Sequence, residues 1–523
     1  MYPYNLSKNP YPSSPTPTLK DATILGGKRH KEARDAILEC INDIKSKSDK
    51  DFKLITIIQD VGTGKTHLAL HLKATQKDII CSYVDLSTLF PRGLSNLYNA
   101  IVQGFGEDYI EEMRTAIINY IKSRALNNEK PAKKFFRQSF FNRNIEKLAN
   151  EVLNGRRDPD TSYVNQIFNN YEAHEISMIK NILYKEINVS NNLEDILANL
   201  AALAKLNMLM LKKVTMIEID ELDADRDATD FTKAVINAHL PYTVMLLITT
   251  PSLYSKIRDV NSSLFDRIEK ANYKVDLAGS SMFDEIADIV LEYIRVNVKD
   301  LTFSSYEADI TNKIRVIYDE FKEFRNIRSM LNIMYHTMET AKRKGVNVIT
   351  EEVIDETINH AYPGLRVKGS IMNVPISEFI KIRREYRDDE RLEFSVKNAI
   401  KSLVMFAHEK GKILPEQLDI ENTSDVDAIY VDDKGKRIGV VVTISKDHTK
   451  IFERINKLKK EGVDKLIVLT NANTVSQNGN TVISLDKCKM VDLIYFSNKY
   501  KQEEIEEPDT DRALVLAKSV LLC

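Results

Sequence analysis

"IIQDVGTGKTHLAL", residues 57–70, is the stretch on which the fold turns. It is close to the phosphate-binding loop pattern G-x-x-x-x-G-K-[ST]. Gly64, Lys65 and Thr66 hold the last three places, and Gln59 stands where the first glycine is usual. The run before it, "DFKLITIIQD", is short, apolar and rich in Ile, the mark of a buried parallel strand. "THLALHLKAT" after it has the pattern of a helix. In that setting successive backbone N–H groups of the turn face a β- and γ-phosphate, and the helix N-terminus adds partial positive charge. Gly62, Thr63 and Gly64 let the backbone come close, Lys65 supplies a cation and Thr66 a magnesium ligand. Gln59, at the strand-to-loop turn, is expected to be tolerated, at the cost of a less relaxed turn if that position takes φ > 0.

Outward from the loop, further strands alternate with helical segments: "DIICSYVDLS", "KKVTMIEIDELD" and "PYTVMLLITTPS". This predicts an α/β fold with a parallel sheet and helices on its faces. The third strand ends in Asp220-Glu221. Asp220 is the candidate to hold magnesium through water, and Glu221 the candidate to orient and deprotonate an attacking water. The fourth strand ends in Thr249-Thr250, either of which offers a hydroxyl to that water or to the γ-phosphate.

The chain has 523 residues, which predicts about three domains. Its 43% hydrophobic and 29% charged content is globular, and a net charge of −2 gives no global signal for nucleic acid. Cys40, Cys81, Cys488 and Cys523 have no C-x-x-C spacing, so neither a zinc site nor a disulfide framework is predicted, and a cytoplasmic location is expected. The N-terminus lacks an apolar signal region and no long apolar run predicts a membrane span.

Residues 1–20, rich in Pro, Ser and Tyr, are expected as an extended arm, either loose or docked. Residues 21–275 make the nucleotide-binding domain, with a helical insertion at about 93–210. Within it "IKSRALNNEKPAKKFFRQSFFNRN" sets seven basic residues against one acid, interleaved with four phenylalanines. That basic stretch, 122–143, is the best local candidate for DNA; the competing reading is a solvated helix with its apolar side in a core. Residues 276–362 read as a helical lid, with Ile327, Leu331, Met334 and Met338 on one core face. A linker at 363–390, an α/β domain at 391–500 and an acidic, mobile tail at 501–523 complete the chain.

With these motifs in this order the chain resembles an AAA+ ATPase, and within that group it is similar to the origin-recognition/Cdc6-type initiators and their prokaryotic relatives, over roughly residues 20–362. "LGGKRHKEARDAI" resembles the family's "GR-x-x-E" element, with Lys28 where Arg is usual. "DVGTGKT" and "IEIDELD" stand as Walker A and B, and Thr249 or Thr250 stands at the sensor-1 position. "NSSLFDRIEK" resembles the arginine-finger segment, which implies Arg267. "FRNIRSMLNIMYHTMETAKRKG" is similar to the lid helix with its sensor-2 arginine, which implies Arg328, with Arg325 competing. The opening "KNPYPSSPTPT" resembles that of the transposition-regulator and secretion-associated ATPases. The resemblance implies ATP and magnesium as cofactors, and a homo-oligomer in which Arg267 acts across the subunit interface.

The initiators usually end in a winged helix, and this chain departs from that. Its last domain runs helix, hairpin around Lys434-Gly435, helix, strand, and resembles the PD-(D/E)xK, restriction-endonuclease-like fold. Asp425 or Asp427 is the candidate first acid, but Val441 and Thr443 hold the places of Glu and Lys, with Lys446 three residues further on. A degenerate module without nuclease activity is expected, kept to bind DNA or protein. The whole predicts a DNA-associated ATPase that assembles on DNA or loads another factor. The alternative is an ATP-dependent switch acting on a protein partner.

Overall fold

The computed structural model describes the chain except residues 15–16, 47–50, 139–143, 188–189, 299–302, 386–387, 419–425, 459–461, 473–479 and 522–523. It divides into two compact units. One comprises Asn9–Thr311 with Arg325–Tyr335; the other comprises Met1–Lys8, Asn312–Phe324 and His336–Cys523.

The first unit is built on a five-stranded parallel sheet, ordered β2-β3-β4-β1-β5. The strands are β1 (Phe52–Ile58), β2 (Ile79–Asp85), β3 (Val214–Asp220), β4 (Thr243–Thr249) and β5 (Tyr273–Val275). β3 and β4 are buried along their whole length, which is why they read as apolar runs rather than alternating patterns. Ile58 lies opposite Thr249 and Ile219 opposite Leu247, so β1, β4 and β3 end at one level. That common edge carries the phosphate loop and Asp220. The chain between β2 and β3 is helical, from Leu94–Gly104 to Leu193–Leu206, and closes in a π-helical turn at Asn207–Leu211. Much of this segment has a core of its own, with Ile117, Leu148, Phe168 and Ile182 fully enclosed.

One β3 side chain does not suit its surroundings. Glu218 is fully buried beside the Cys81 thiol, and burial pushes its pKa from 4.5 up to about 8. The folded form thus keeps a proton that the unfolded chain releases, so stability falls as pH rises from about 4.5 to about 8. Glu218→Gln is expected to remove this slope: the melting temperature of wild type should drop below that of the variant by ~2–8 °C between pH 6 and pH 9. Parallel pH profiles in a thermal melt would refute this.

The second unit carries a mixed sheet, β10-β9-β8-β7-β6. β6 (Leu414–Gln417), β7 (Ala428–Val431) and β8 (Arg437–Thr443) are antiparallel neighbours. β9 (Lys465–Thr470) and β10 (Thr481–Ser484) continue in parallel. The expected hairpin is present: Asp432 caps the turn by accepting from the Lys434 and Lys436 amides. Two expectations change. Residues 501–523 are not a mobile tail, because Glu507–Leu521 is a helix that buries Ala513, Leu516, Ala517 and Val520. Residues 363–390 are not a bare linker either. They include helix Ile376–Glu385, whose Arg383 and Arg384 both reach Asp355, and a loop whose Ile371 and Met372 amides donate to the buried carboxylate of Asp492.

The N-terminal segment is docked within each unit. Tyr2 donates to Glu339 at 2.8 Å with Lys342 over its ring, and the Tyr4 amide donates to the Asn347 carbonyl. In the other unit Asn9 donates to the Tyr335 carbonyl, and Tyr11 is buried. Among the described residues no helix is long and apolar enough to cross a membrane.

Candidate nucleotide site

Gln59 resolves simply. Its amide donates to the Thr249 carbonyl at 3.3 Å, which prolongs the β1–β4 ladder, and it stays outside the left-handed region of φ. A glycine is not needed there. Its N–H is spent on the sheet and is not available to a phosphate. The glycines that matter come later. Gly62 has φ +83° and Gly64, at the helix N-cap, φ +85°. A β-carbon on Gly62 would lie 3.3 Å from Asn326 Oδ1, and one on Gly64 would lie 2.5 Å from His30 Nε2. Conformation therefore disfavours a side chain at both positions, and at Gly64 space does so as well.

The loop closes on itself, with Thr63 Oγ1 and Lys65 Nζ both donating to the Asp60 carbonyl, at 2.9 and 2.8 Å. Lys65 is buried, which lowers its pKa against the pull of Asp220 and Glu221. Thr66 Oγ1 donates to Asp220 Oδ2 at 2.7 Å, and Tyr83 donates to the same oxygen at 2.8 Å. Asp220 Oδ1 accepts from the Glu221 amide, and Glu221 sits at φ +54°, a conformation that a non-glycine residue holds only under constraint. Burial, then the neighbouring Asp220, raises the Glu221 pKa. Behind them Arg92 grips Asp223 with one nitrogen at 2.7 and 2.8 Å from its two oxygens and donates to the Leu86 carbonyl, so the turn after β3 is tied to the loop after β2.

A cleft opens over the loop. It is lined by Gly62, Gly64, Lys65, Thr66 and Glu221 on one side and by Pro12, Pro17, Leu25, Ile289, Tyr293, Ile327 and Leu331 on another. Phosphate chemistry at one end and an apolar slot at the other match a nucleoside polyphosphate. The oxygen donors of Thr66 and Asp220 suit magnesium. No group of three or more His, Cys, Asp or Glu side chains among the described residues is placed to hold a metal.

Arg328 lines this cleft within electrostatic reach of Lys65 and Glu221, whereas Arg325 is not part of its lining. Arg267 lies elsewhere in the same unit, exposed on helix Ser262–Glu269, in a groove with Ser263, Asp266, Lys270 and His239. The hydroxyls expected near the γ-phosphate are engaged differently. Thr249 Oγ1 donates to the Leu222 carbonyl at 2.6 Å, and Thr250 Oγ1 caps the next helix by accepting from the Leu253 amide. The short side chain of Thr prefers a backbone partner within reach, and the adjacent strand end supplies one. Tyr83, Arg92, Asn326, His30 and Glu285 enter the site without having been singled out in the sequence. Only Tyr83 left a trace, since it shares a β2 face with Asp85.

The basic stretch 122–143 also reads differently. Phe135 and Phe136 are fully buried core residues, Arg124 pairs with Glu129, and Lys134 lies over the Tyr163 ring. Phe140, Phe141 and Arg143 lie outside the described residues. In the C-terminal sheet Asp425 also lies outside them. Asp427 accepts from the Val442 amide and sits 3.2 Å from Lys397 Nζ, which is 2.8 Å from Glu393. Val441 and Thr443 are buried, and Lys446 pairs with Asp389.

Among solved structures the chain is similar to Cdc6p from Pyrobaculum aerophilum, at 12% identity, with a TM-score of 0.37, over 77% of this chain and 78% of that one. No protein-family model and no curated protein matches it.

Proposed function

We propose that this protein is an AAA+ ATPase whose nucleotide sites are completed between subunits of a homo-oligomer. The observation that carries the reading is that Gly62, Gly64, Lys65 and Thr66, after β1, and Glu221, after β3, line one cleft, with Asp220 bonded to Thr66 beside it. ATP is cradled by the loop amides and Lys65, and its base takes the apolar slot. Thr66 and Asp220 hold magnesium, which when bound offsets phosphate charge. Glu221, its pKa raised, takes the proton of the attacking water, and Arg328 reads the phosphates from the lid. Arg267, exposed and away from the cleft, suits a neighbour's site. The hydroxyl of Thr249 then acts through the Leu222 backbone, by fixing the turn that carries Glu221.

DNA association is the favoured role. The switch reading is kept because the phenylalanines of 122–143 that are described are core and its cations partly paired. The C-terminal module is read as a binding module. The Asp427 and Glu393 carboxylates are met by Lys397 and Arg454, and no acid occupies position 441. One experiment bears on all of this: ATP-dependent assembly with and without a DNA duplex over a salt series. Lys65→Ala is expected to weaken ATP binding on the order of 100-fold and to prevent assembly. Duplex binding by wild type should fall steeply with salt, and the duplex should be recovered uncut in magnesium. ATP binding untouched by Lys65→Ala would end the proposal, and salt-independent or absent duplex binding would leave the switch.

A further inference from the structure

His30, in the first turn of helix Lys28–Ser46, is 2% exposed and joins two elements. Its Nε2 is 2.8 Å from the Thr63 carbonyl oxygen in the phosphate loop. Its Nδ1 is 3.1 Å from Glu285 Oε1, in the first turn of helix Phe283–Asn297, and that same oxygen accepts from the Arg29 amide. A carbonyl only accepts hydrogen bonds, and so does a carboxylate. Nε2 therefore carries a proton for the Thr63 carbonyl, and a second proton lies between Nδ1 and the Glu285 carboxyl. Burial pushes the Glu285 carboxyl up, but its bonds with His30 outweigh this and hold it below the usual range.

The consequence for the loop follows from peptide geometry. In a trans peptide the C=O and the next N–H point in opposite directions. A donor that holds the Thr63 carbonyl from behind aims the Gly64 N–H the other way, into the cleft that Gly64 lines. The ring also lies against Gly64, which holds the loop in place from that side.

We propose that His30, held by Glu285, is a positioning residue for the phosphate loop, which aims the Gly64 N–H at a nucleotide phosphate. This rests on the cleft being a nucleotide site. Other ionisable groups around the bridge are His67, on the helix after the loop, and Lys65, Arg328 and Glu221, which line the cleft with it.

The test is the affinity for ADP at a single pH, with a thermal melt of each variant as the control for folding. His30→Ala is expected to weaken ADP ~10–100-fold. His30→Gln, which keeps a donor for the Thr63 carbonyl, should restore most of that loss. Glu285→Gln, which loosens the hold on the ring, should weaken ADP by less than His30→Ala. If His30→Ala fails to fold, Glu285→Gln carries the test, as a loss of ADP affinity with the melting temperature kept. His30→Ala and Glu285→Gln that bind ADP as wild type does, or a His30→Gln no better than His30→Ala, would overturn the proposal. Lys65→Ala separates the two levels: if it binds ADP as wild type does, the nucleotide site itself is wrong. If it loses ADP while the His30 and Glu285 variants follow wild type, only the role of His30 falls.

Discussion

Glu221→Gln is expected to bind ATP as tightly as wild type and to hydrolyse it ~10²–10⁴-fold more slowly. The carboxyl does not hold the loop together: the Glu221 amide, not its side chain, makes the hydrogen bond to Asp220, and an amide side chain leaves that contact in place. What is lost is a base whose pKa burial and Asp220 have already raised. The variant should therefore accumulate in its ATP-bound, assembled form, seen as a stable oligomer that wild type reaches only transiently. If Glu221→Gln turns over ATP within a few-fold of wild type, the proton acceptor lies elsewhere.

Arg267→Ala should also keep ATP binding and lose turnover, by ~10³-fold or more, because a guanidinium that meets developing charge only in the transition state contributes little to the ground state. Its position allows a sharper test than rate alone. Since Arg267 does not line its own subunit's cleft, each defective chain should supply what the other lacks. Mixing Glu221→Gln with Arg267→Ala creates interfaces that pair an intact base with an intact finger, and partial activity should return. Two inactive variants that stay inactive when mixed, while still co-assembling, would assign Arg267 to its surface alone.

Much of this site could be read along the chain because its parts are local. The phosphate loop is a contiguous pattern between a strand and a helix, and Asp220-Glu221 closes an apolar run. What escaped depends on pairings with no local signature: His30 with Glu285, Tyr83 with Asp220, Arg92 with Asp223. The bond from Thr249 to the Leu222 carbonyl had no local signature either, since a strand-end hydroxyl is as well placed for a neighbouring carbonyl as for a ligand. In the C-terminal sheet β6 was missed because it contains Pro415, which an edge strand accommodates. The final helix was hidden by the acidic run before it, although Ala513, Leu516, Ala517 and Val520 carry a helical period. Composition described the start of that segment, and periodicity described the rest.

The two compact units also set an order of events during synthesis. The first unit includes nothing beyond Tyr335, so it can fold while later residues are still being added. The other unit begins with Met1–Lys8 yet needs Glu339, Lys342 and Asn347 before Tyr2 and Tyr4 have partners. Met1–Lys8 are therefore made well before the partners that seat them, and until then two tyrosines and Leu6 remain uncovered on the nascent chain.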